Sequence, residues 1–269
     1  DDILARRLTV VHCAAGYGKT SLLTQWFDAL ESEGVSVVWL TLEEEEQTAS
    51  VFLSHLAEAC KIHTLSEQIV PAHISNPEKE ISIAPFISAL TNDLVESAVQ
   101  QVIFLDDYHL AQSPETNSLM RSLIRLLPRH VHLVVSSRWR PGFEIEKLRV
   151  HGDLLELNVT QIQFDADEVL ALLEKCDVPL DDVQLHRLAD RTEGWPIALQ
   201  MVSLLLDDNP AKADLISGFS GKTADLARYL SEQVFSRLSD THQTFLLHTS
   251  ILGCFNGDIA NALLDIRDG

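Results

Sequence analysis

Residues Leu8 to Leu23 read LTVVHCAAGYGKTSLL, and the fold turns on them. Four β-favouring or apolar residues (Leu8, Thr9, Val10, Val11) run into a loop of mostly small residues, Cys13, Ala14, Ala15, Gly16, Tyr17 and Gly18. Lys19 and Thr20 end the loop, and an apolar helix starts at Ser21. The order is strand, loop, helix. Small residues let backbone N–H groups approach an anion closely, and the positive end of the following helix adds to the attraction. Cys13 through Ser21 are therefore expected to cradle a triphosphate, with Lys19 reaching its β- and γ-phosphates and the Thr20 hydroxyl holding Mg2+. The usual spacing is GxxxxGK followed by Ser or Thr; Cys13 takes the place of the first glycine, a side chain small enough to allow the turn. The competing reading is a chance glycine turn before a helix. It loses ground when strand context, GKT and a distant acidic partner coincide.

At 269 residues the chain is long enough for a large core and for more than one domain. It holds no run of about 18 apolar residues, and its first residues, DDILARRL, lack the charged-then-apolar order of a secretory signal. A soluble, cytoplasmic protein without membrane contact is expected. The chain begins without Met and reaches a core strand by Leu8, so it reads as a piece of a longer protein. Cys13, Cys60, Cys176 and Cys254 are scattered without CxxC or zinc spacing, which fits reduced thiols. Twenty basic against 40 acidic residues give a net charge of −20, which opposes sequence-independent contact with a nucleic-acid backbone.

After the loop, Ser21 to Leu30 continues as a helix and Gly34 stops it. Val35 to Leu42 is a buried strand, and a β-α-β unit this early implies a parallel sheet covered on both faces. Glu43 to Glu46 reads as an acidic, solvated helix start before Val51 to Cys60, with metal binding as the minor alternative. Ile62 to Glu80, including His63 and His73, reads as an irregular connector. Pro85 to Val99 carries Phe86, Leu90, Leu94 and Val95 on a helical stripe.

Gln101 to His109 reads QVIFLDDYH, a buried strand that releases two carboxylates at its tip. Asp106 is expected to hold Mg2+ and Asp107 to polarise the attacking water as general base. Alone, LDD could simply end a strand; paired with GKT it gains specificity. A helix from Ser113 and Pro114 turns Leu119, Leu123, Leu126 and Leu127 inward. Val131 to Val135 is the next strand and delivers Ser136, Ser137 and Arg138. By position Arg138 is either a γ-phosphate ligand or a surface arginine paired with a carboxylate. Leu154 to Val159 completes a sheet of about five strands.

From there only helices are expected. Asp165 and Glu168 form a reciprocal cap with Phe164 stapled on Val169, opening a helix from Ala166 to Cys176. Asp182 to Thr192 is another helix, and Gly194, Trp195 and Pro196 make a corner that by itself is only a helix–helix turn. GFSGKT at Gly218 to Thr223 repeats GKT, yet no strand precedes it, so it is a decoy. The tail holds a helical stripe through Leu226 to Leu238, a helix capped by Ser239 or Asp240, and a last helix after Gly257. These short helices suggest a winged-helix-like bundle. The expected fold class is α/β: a P-loop NTPase five-stranded parallel sheet, followed by a helical domain and a partial winged-helix-like domain. The expected boundaries are 1–160, 161–222 and 223–269.

The ordered motifs resemble the nucleotide-binding core of STAND ATPases, in particular the MalT-type regulators of the LuxR family. The residues that carry this are VHCAAGYGKTSLLTQW (Val11 to Trp26), VVWLTL, VIFLDDYHL (Val102 to Leu110), LVVSSR (Leu133 to Arg138) and LRVHGDLLEL. FDADEVLALL, EGWPIALQ (Glu193 to Gln200), YLSEQVFSRL and FLLHTSIL extend it over nearly the whole chain. The resemblance implies a switch that rests with ADP, self-associates with ATP and an inducer, and is reset by slow hydrolysis. It further implies that Gly194 and Pro196 pack near the adenine, that Arg138 is a sensor arginine, and that Arg149 acts across a subunit contact. A small-molecule or protein inducer would act through a sensor domain, and DNA would be bound through a C-terminal helix-turn-helix; neither is read in these 269 residues. Two departures stand out: Cys13 in the loop and EEEE after the second strand. Two other functions compete, a work-performing AAA+ ATPase and a hydrolysis-dead nucleotide-binding interaction module. Lys19, Thr20, Asp106 and Asp107 stand together against the second.

Overall fold

The computed structural model describes residues 2–60, 87, 88, 90–92, 94, 95, 99–174, 182–207, 231, 232, 235–251 and 257–264. The chain divides into two units, Asp1–Gln163 and Phe164–Gly269. The connector from Ile62 to Glu80 with His63 and His73, the residue Phe86, and the GFSGKT decoy all lie outside the described residues.

In the first unit five strands, β1 (Leu8–His12), β2 (Ser36–Thr41), β3 (Gln101–Asp106), β4 (Val131–Ser137) and β5 (Leu154–Leu157), form one parallel sheet in the order β2-β3-β4-β1-β5. β4 thus lies between β1 and β3, pairing Val11 with Ser136 on one side and Leu105 with Val135 on the other. Because side chains alternate along a strand, each strand feeds two cores. Leu8, Val10, Ile103, Leu105, Leu133 and Val135 pack against Phe52, Leu53 and Leu56 of α2 (Ala49–Ala59) and Met120 and Leu123 of α3 (Pro114–Leu126). Val11, Val102, Phe104 and Val134 face α1 (Lys19–Ser32) through Leu23, Leu30, Trp26 and Phe27. Phe27, Trp39 and Phe104 form an aromatic trio with centroids 5.6 to 5.9 Å apart. Phe104, the fully buried member, contributes about 2 to 3 kcal/mol of transfer free energy.

Several expectations are corrected here. α1 begins at Lys19, two residues before the expected start, because left-handed Gly18 caps it. β4 runs to Ser137, since Cys13 N–H donates to the Ser137 carbonyl at 3.3 Å and prolongs the ladder. β5 ends at Leu157: the Asn158 side chain accepts from Thr160 N–H at 2.9 Å and opens a single helical turn, Val159–Ile162. Leu126 points outward at 43 % exposure while Met120 and Ile124 fill the core, because the buried stripe runs through 116, 119, 120, 123, 124 and 127. Val95 is likewise exposed, whereas Leu90 and Leu94 are buried. The acidic run forms a 3-10 turn, Glu44–Gln47, in which Glu46 is buried rather than solvated. Its carboxylate accepts from Glu43 N–H at 2.8 Å and meets His55 Nδ1. The Glu46 carboxylate therefore closes the turn's own cap, which removes it from metal binding.

The second unit is built from α4 (Ala166–Glu174), α5 (Asp182–Thr192), α6 (Pro196–Asp207), a 3-10 turn at Phe235–Arg237, α7 (Asp240–Thr249) and α8 (Gly257–Leu264). Asp165 and Glu168 cap α4 reciprocally at 2.9 and 3.0 Å, and Phe164 packs with Val169 as the staple requires. Val169, Leu173, Leu188, Ala198, Leu199 and Val202 make its core. Ser239 caps α7, accepting from His242 N–H.

Candidate functional site

Three chain segments converge where β1, β3 and β4 end. Gly16 and Gly18 sit at φ 82° and 75°, left-handed conformations that cost a residue with a Cβ roughly 1 to 2 kcal/mol. A Cβ on Gly18 would meet nothing within 4 Å, so the glycine is there for its backbone and not for space. At the start of α1 no side chain caps the first N–H groups and no acid sits in the first turn. This leaves the positive end of a 14-residue helix open to an anion.

Lys19 is buried, and its ammonium donates to the carbonyls of Cys13 at 2.9 Å and Ala14 at 3.2 Å. Burial pulls its pKa below the ordinary lysine value; Cys13, Asp107 and Asp106 act upward against this, and Arg138 adds to the lowering. Arg138 therefore lies close enough to share the field of Lys19, and it is half-buried. Burial raises the Cys13 thiol, with Lys19 opposing. The thiol is thus held protonated and serves as a small wall of the loop.

The two aspartates at the β3 tip have different surroundings. Asp106 is 2 % exposed; its Oδ2 accepts from Thr20 Oγ1 at 2.9 Å and its Oδ1 accepts from Ser136 Oγ. Asp107 sits at φ 58°, ψ 37°, with its N–H donating to Ser136 Oγ at 2.9 Å and Asp106 Oδ1 at 3.1 Å. That left-handed turn leaves the Asp107 side chain 37 % exposed, with Oδ1 3.6 Å from His109 Nδ1. The buried carboxylate is tied to the loop's threonine, and the open one faces solvent. Ser136 links the two and was not singled out from sequence; its only signal was its place after a β-branched run.

Among the described residues no group of three His, Cys, Asp or Glu could hold a metal ion by itself. A hydroxyl and one carboxylate 2.9 Å apart suit Mg2+, which keeps several waters and takes its remaining oxygens from phosphates. The donor set fits a magnesium nucleotide. Of the other expected residues, Ala14 and Ser21 are exposed, and Ala15 and Tyr17 are half-buried along the loop. Gly194 and Pro196 belong to the second unit. There Glu193 and Gly194 are both left-handed, at φ 48° and 66°. A Cβ on Gly194 would collide with the Phe164 backbone. Arg149 is engaged by Glu146 at 3.3 Å and by Glu156, within a network that includes Arg140 and His12.

Residues 3–144 match the AAA domain family. The chain belongs to that family of P-loop ATPases. Residues 231–269 match the MalT winged helix domain, so the whole is a MalT-type AAA core. The serine/threonine-protein kinase PknK of Mycobacterium tuberculosis is 30 % identical over 98 % of this chain and 24 % of its own length. The HTH-type transcriptional regulator MalT of Yersinia enterocolitica is 30 % identical over 93 % of this chain and 28 % of its own. The chain thus spans about a quarter of the length of these relatives. The Orc1 protein of Aeropyrum pernix, solved in complex with DNA, superposes with a TM-score of 0.51. It shares 18 % identity over 96 % of this chain and 70 % of that one, a likeness of fold. This AAA core also holds no helix among its described residues long and apolar enough to cross a membrane.

Proposed function

We propose that this AAA core is an ATP/ADP switch with slow hydrolysis, the regulatory ATPase of a MalT-like transcriptional regulator of the LuxR family. The observation that carries the reading is the Thr20–Asp106 hydrogen bond at the mouth of a loop whose lysine rests on the loop's own carbonyls. Nucleotide entry has to exchange the Cys13 and Ala14 carbonyls for phosphate oxygens on Lys19, which couples loop geometry to occupancy. In this reading Cys13 to Ser21 cradle the phosphates, Thr20 and Asp106 hold Mg2+, Asp107 polarises the attacking water and Arg138 senses the γ-phosphate. Mg2+ held by Thr20 and Asp106 would supply charge neutralisation to the phosphates.

The name of the MalT relative supports a regulator, and in this reading the domains lie near 1–160, 161–222 and 223–269. Self-association in the ATP form, an inducer acting through a further domain, and DNA contact through a separate helix-turn-helix complete the proposal. The test is mass analysis of purified protein with and without ATP and Mg2+, together with turnover. Retained nucleotide, a mass increase with ATP and weak turnover are expected. Rapid, partner-stimulated turnover would instead mark a work-performing ATPase, and no nucleotide binding at all would end the proposal.

A further inference from the structure

Asp107 holds a backbone conformation that its residue type does not favour. It lies at φ 58°, ψ 37°, and among the described residues Glu193 is the other non-glycine residue with positive φ. A residue with a Cβ is crowded by its own backbone there, although aspartate tolerates the region better than most. Contacts outside the residue have to hold the turn.

Tethers act on both sides of it. After Asp107 the chain is anchored by Tyr108, which is fully buried, donates its hydroxyl to Asn117 Oδ1 at 3.0 Å and meets Phe143 edge-on at 5.2 Å. The Asp107 carbonyl accepts from Leu110 N–H at 2.9 Å and closes the helical turn Tyr108–Ala111. The Asp107 N–H is shared between Ser136 Oγ at 2.9 Å and Asp106 Oδ1 at 3.1 Å.

The role of Ser136 in this arrangement is fixed by its chemistry. Its one hydroxyl proton goes to Asp106 Oδ1, and its oxygen accepts from Asp107 N–H. The side chain is fully buried in β4, one residue before the Ser137 carbonyl that meets the phosphate loop and two before Arg138. Without the hydroxyl, Asp107 N–H keeps only the longer bond to Asp106. The cost of a left-handed residue and the net worth of one hydrogen bond are of the same order, so this single acceptor can decide whether the turn persists. Asp106 is better provided for, because Thr20 stays on its Oδ2 at 2.9 Å and Asp107 N–H on its Oδ1. The loss of Ser136 Oγ therefore falls on Asp107 and spares the metal carboxylate.

We propose that Ser136 is a positioning residue for hydrolysis: its hydroxyl holds Asp107 in the left-handed turn that keeps the Asp107 carboxylate in the open mouth of the site. This role rests on the reading of Asp107 as the group that polarises the attacking water. Ser136 serves the chemical step and not the affinity for nucleotide.

The test measures ATP affinity and single-turnover hydrolysis of the 269-residue protein with Mg2+, beside hydrogen exchange of the Asp107 amide with Mg2+ and ADP present. Ser136→Ala is expected to slow hydrolysis about tenfold, the rate equivalent of one lost hydrogen bond, with ATP affinity within about twofold of wild type. Exchange at the Asp107 amide should quicken by a similar factor. Ser136→Thr retains the hydroxyl and should keep both rates near wild type. In an Asp107→Asn background the Ser136→Ala change should slow hydrolysis no further, because no base is left to place. Weakened ATP or Mg2+ binding with hydrolysis intact would assign Ser136 to the metal carboxylate and overturn the proposal. Unchanged exchange and turnover in Ser136→Ala would also overturn it, leaving the turn to Tyr108. Undiminished hydrolysis in Asp107→Asn alone ends the general-base assignment and this role with it, and the exchange rates separate that failure from a failure of the Ser136 tether.

Discussion

The two ends of one parallel sheet gather charge by different means. At the strand tips the cationic device is mostly backbone: left-handed Gly16 and Gly18, an uncapped helix start, and a lysine parked on carbonyls. At the strand starts it is side chains: Arg6, Arg7 and Arg129 around a buried histidine. The difference follows from what a parallel sheet provides. In a strand–helix–strand unit the helix N-terminus lies at the strand-tip end, so that end supplies N–H groups, while the strand starts meet helix C-termini and their carbonyls. Arg7 shows this directly by donating to the last carbonyls of α3.

The comparison can be broken first at Asp107. Asp107→Asn is expected to slow hydrolysis by about 100-fold or more while leaving ATP affinity unchanged, because only a positioned base is lost. Single-turnover hydrolysis beside equilibrium binding checks this. Lys19→Ala is expected to weaken ATP binding about 100-fold, close to 3 kcal/mol for a lost charged contact. A variant that binds nucleotide like wild type would remove the phosphate loop from the proposal.

Smaller effects sharpen the contrast. Glu156 accepts from Arg140 at 2.9 Å, meets His12 at 3.0 Å and pairs with Arg149 beside the strand tips. Burial pushes its carboxyl up, but Arg140 and His12 outweigh this and hold it below the ordinary carboxylate range. Its stabilisation is therefore complete at neutral pH and is lost as pH falls through that depressed range. Glu156→Gln should lower Tm by a few degrees at pH 7, roughly 1 kcal/mol, with the gap from wild type closing on acidification. Thermal melts across pH measure it. Arg7→Ala is expected to cost about 1 kcal/mol by freeing the Ile124 and Arg125 carbonyls, with ATP binding unaffected. Denaturant titration with a binding control separates the two.

Much of this was legible in the residues because it is local. Strand, loop and helix around GKT follow from side-chain size and periodicity, as do the Asp165–Glu168 cap and the corner at Gly194. Errors arose where a neighbour in space decided. Leu126 and Val95 matched an apolar pattern but lie outside the buried stripe. Glu46 looked like one of four solvated acids until the 3-10 turn and His55 enclosed it. Ser136 gained its place only because β4 lies beside β3.

The sequence by itself determined the succession of strands and helices, the anion-binding loop and the acidic pair, since hydrophobic period and backbone sterics act over a few residues. Only the tertiary structure decided that Asp106 is bound to Thr20 while Asp107 stays open, and that Arg6, Arg129 and His132 share a cavity. Those arrangements depend on strand order and register, which bring together residues 86 and 126 positions apart and so leave no trace in local pattern.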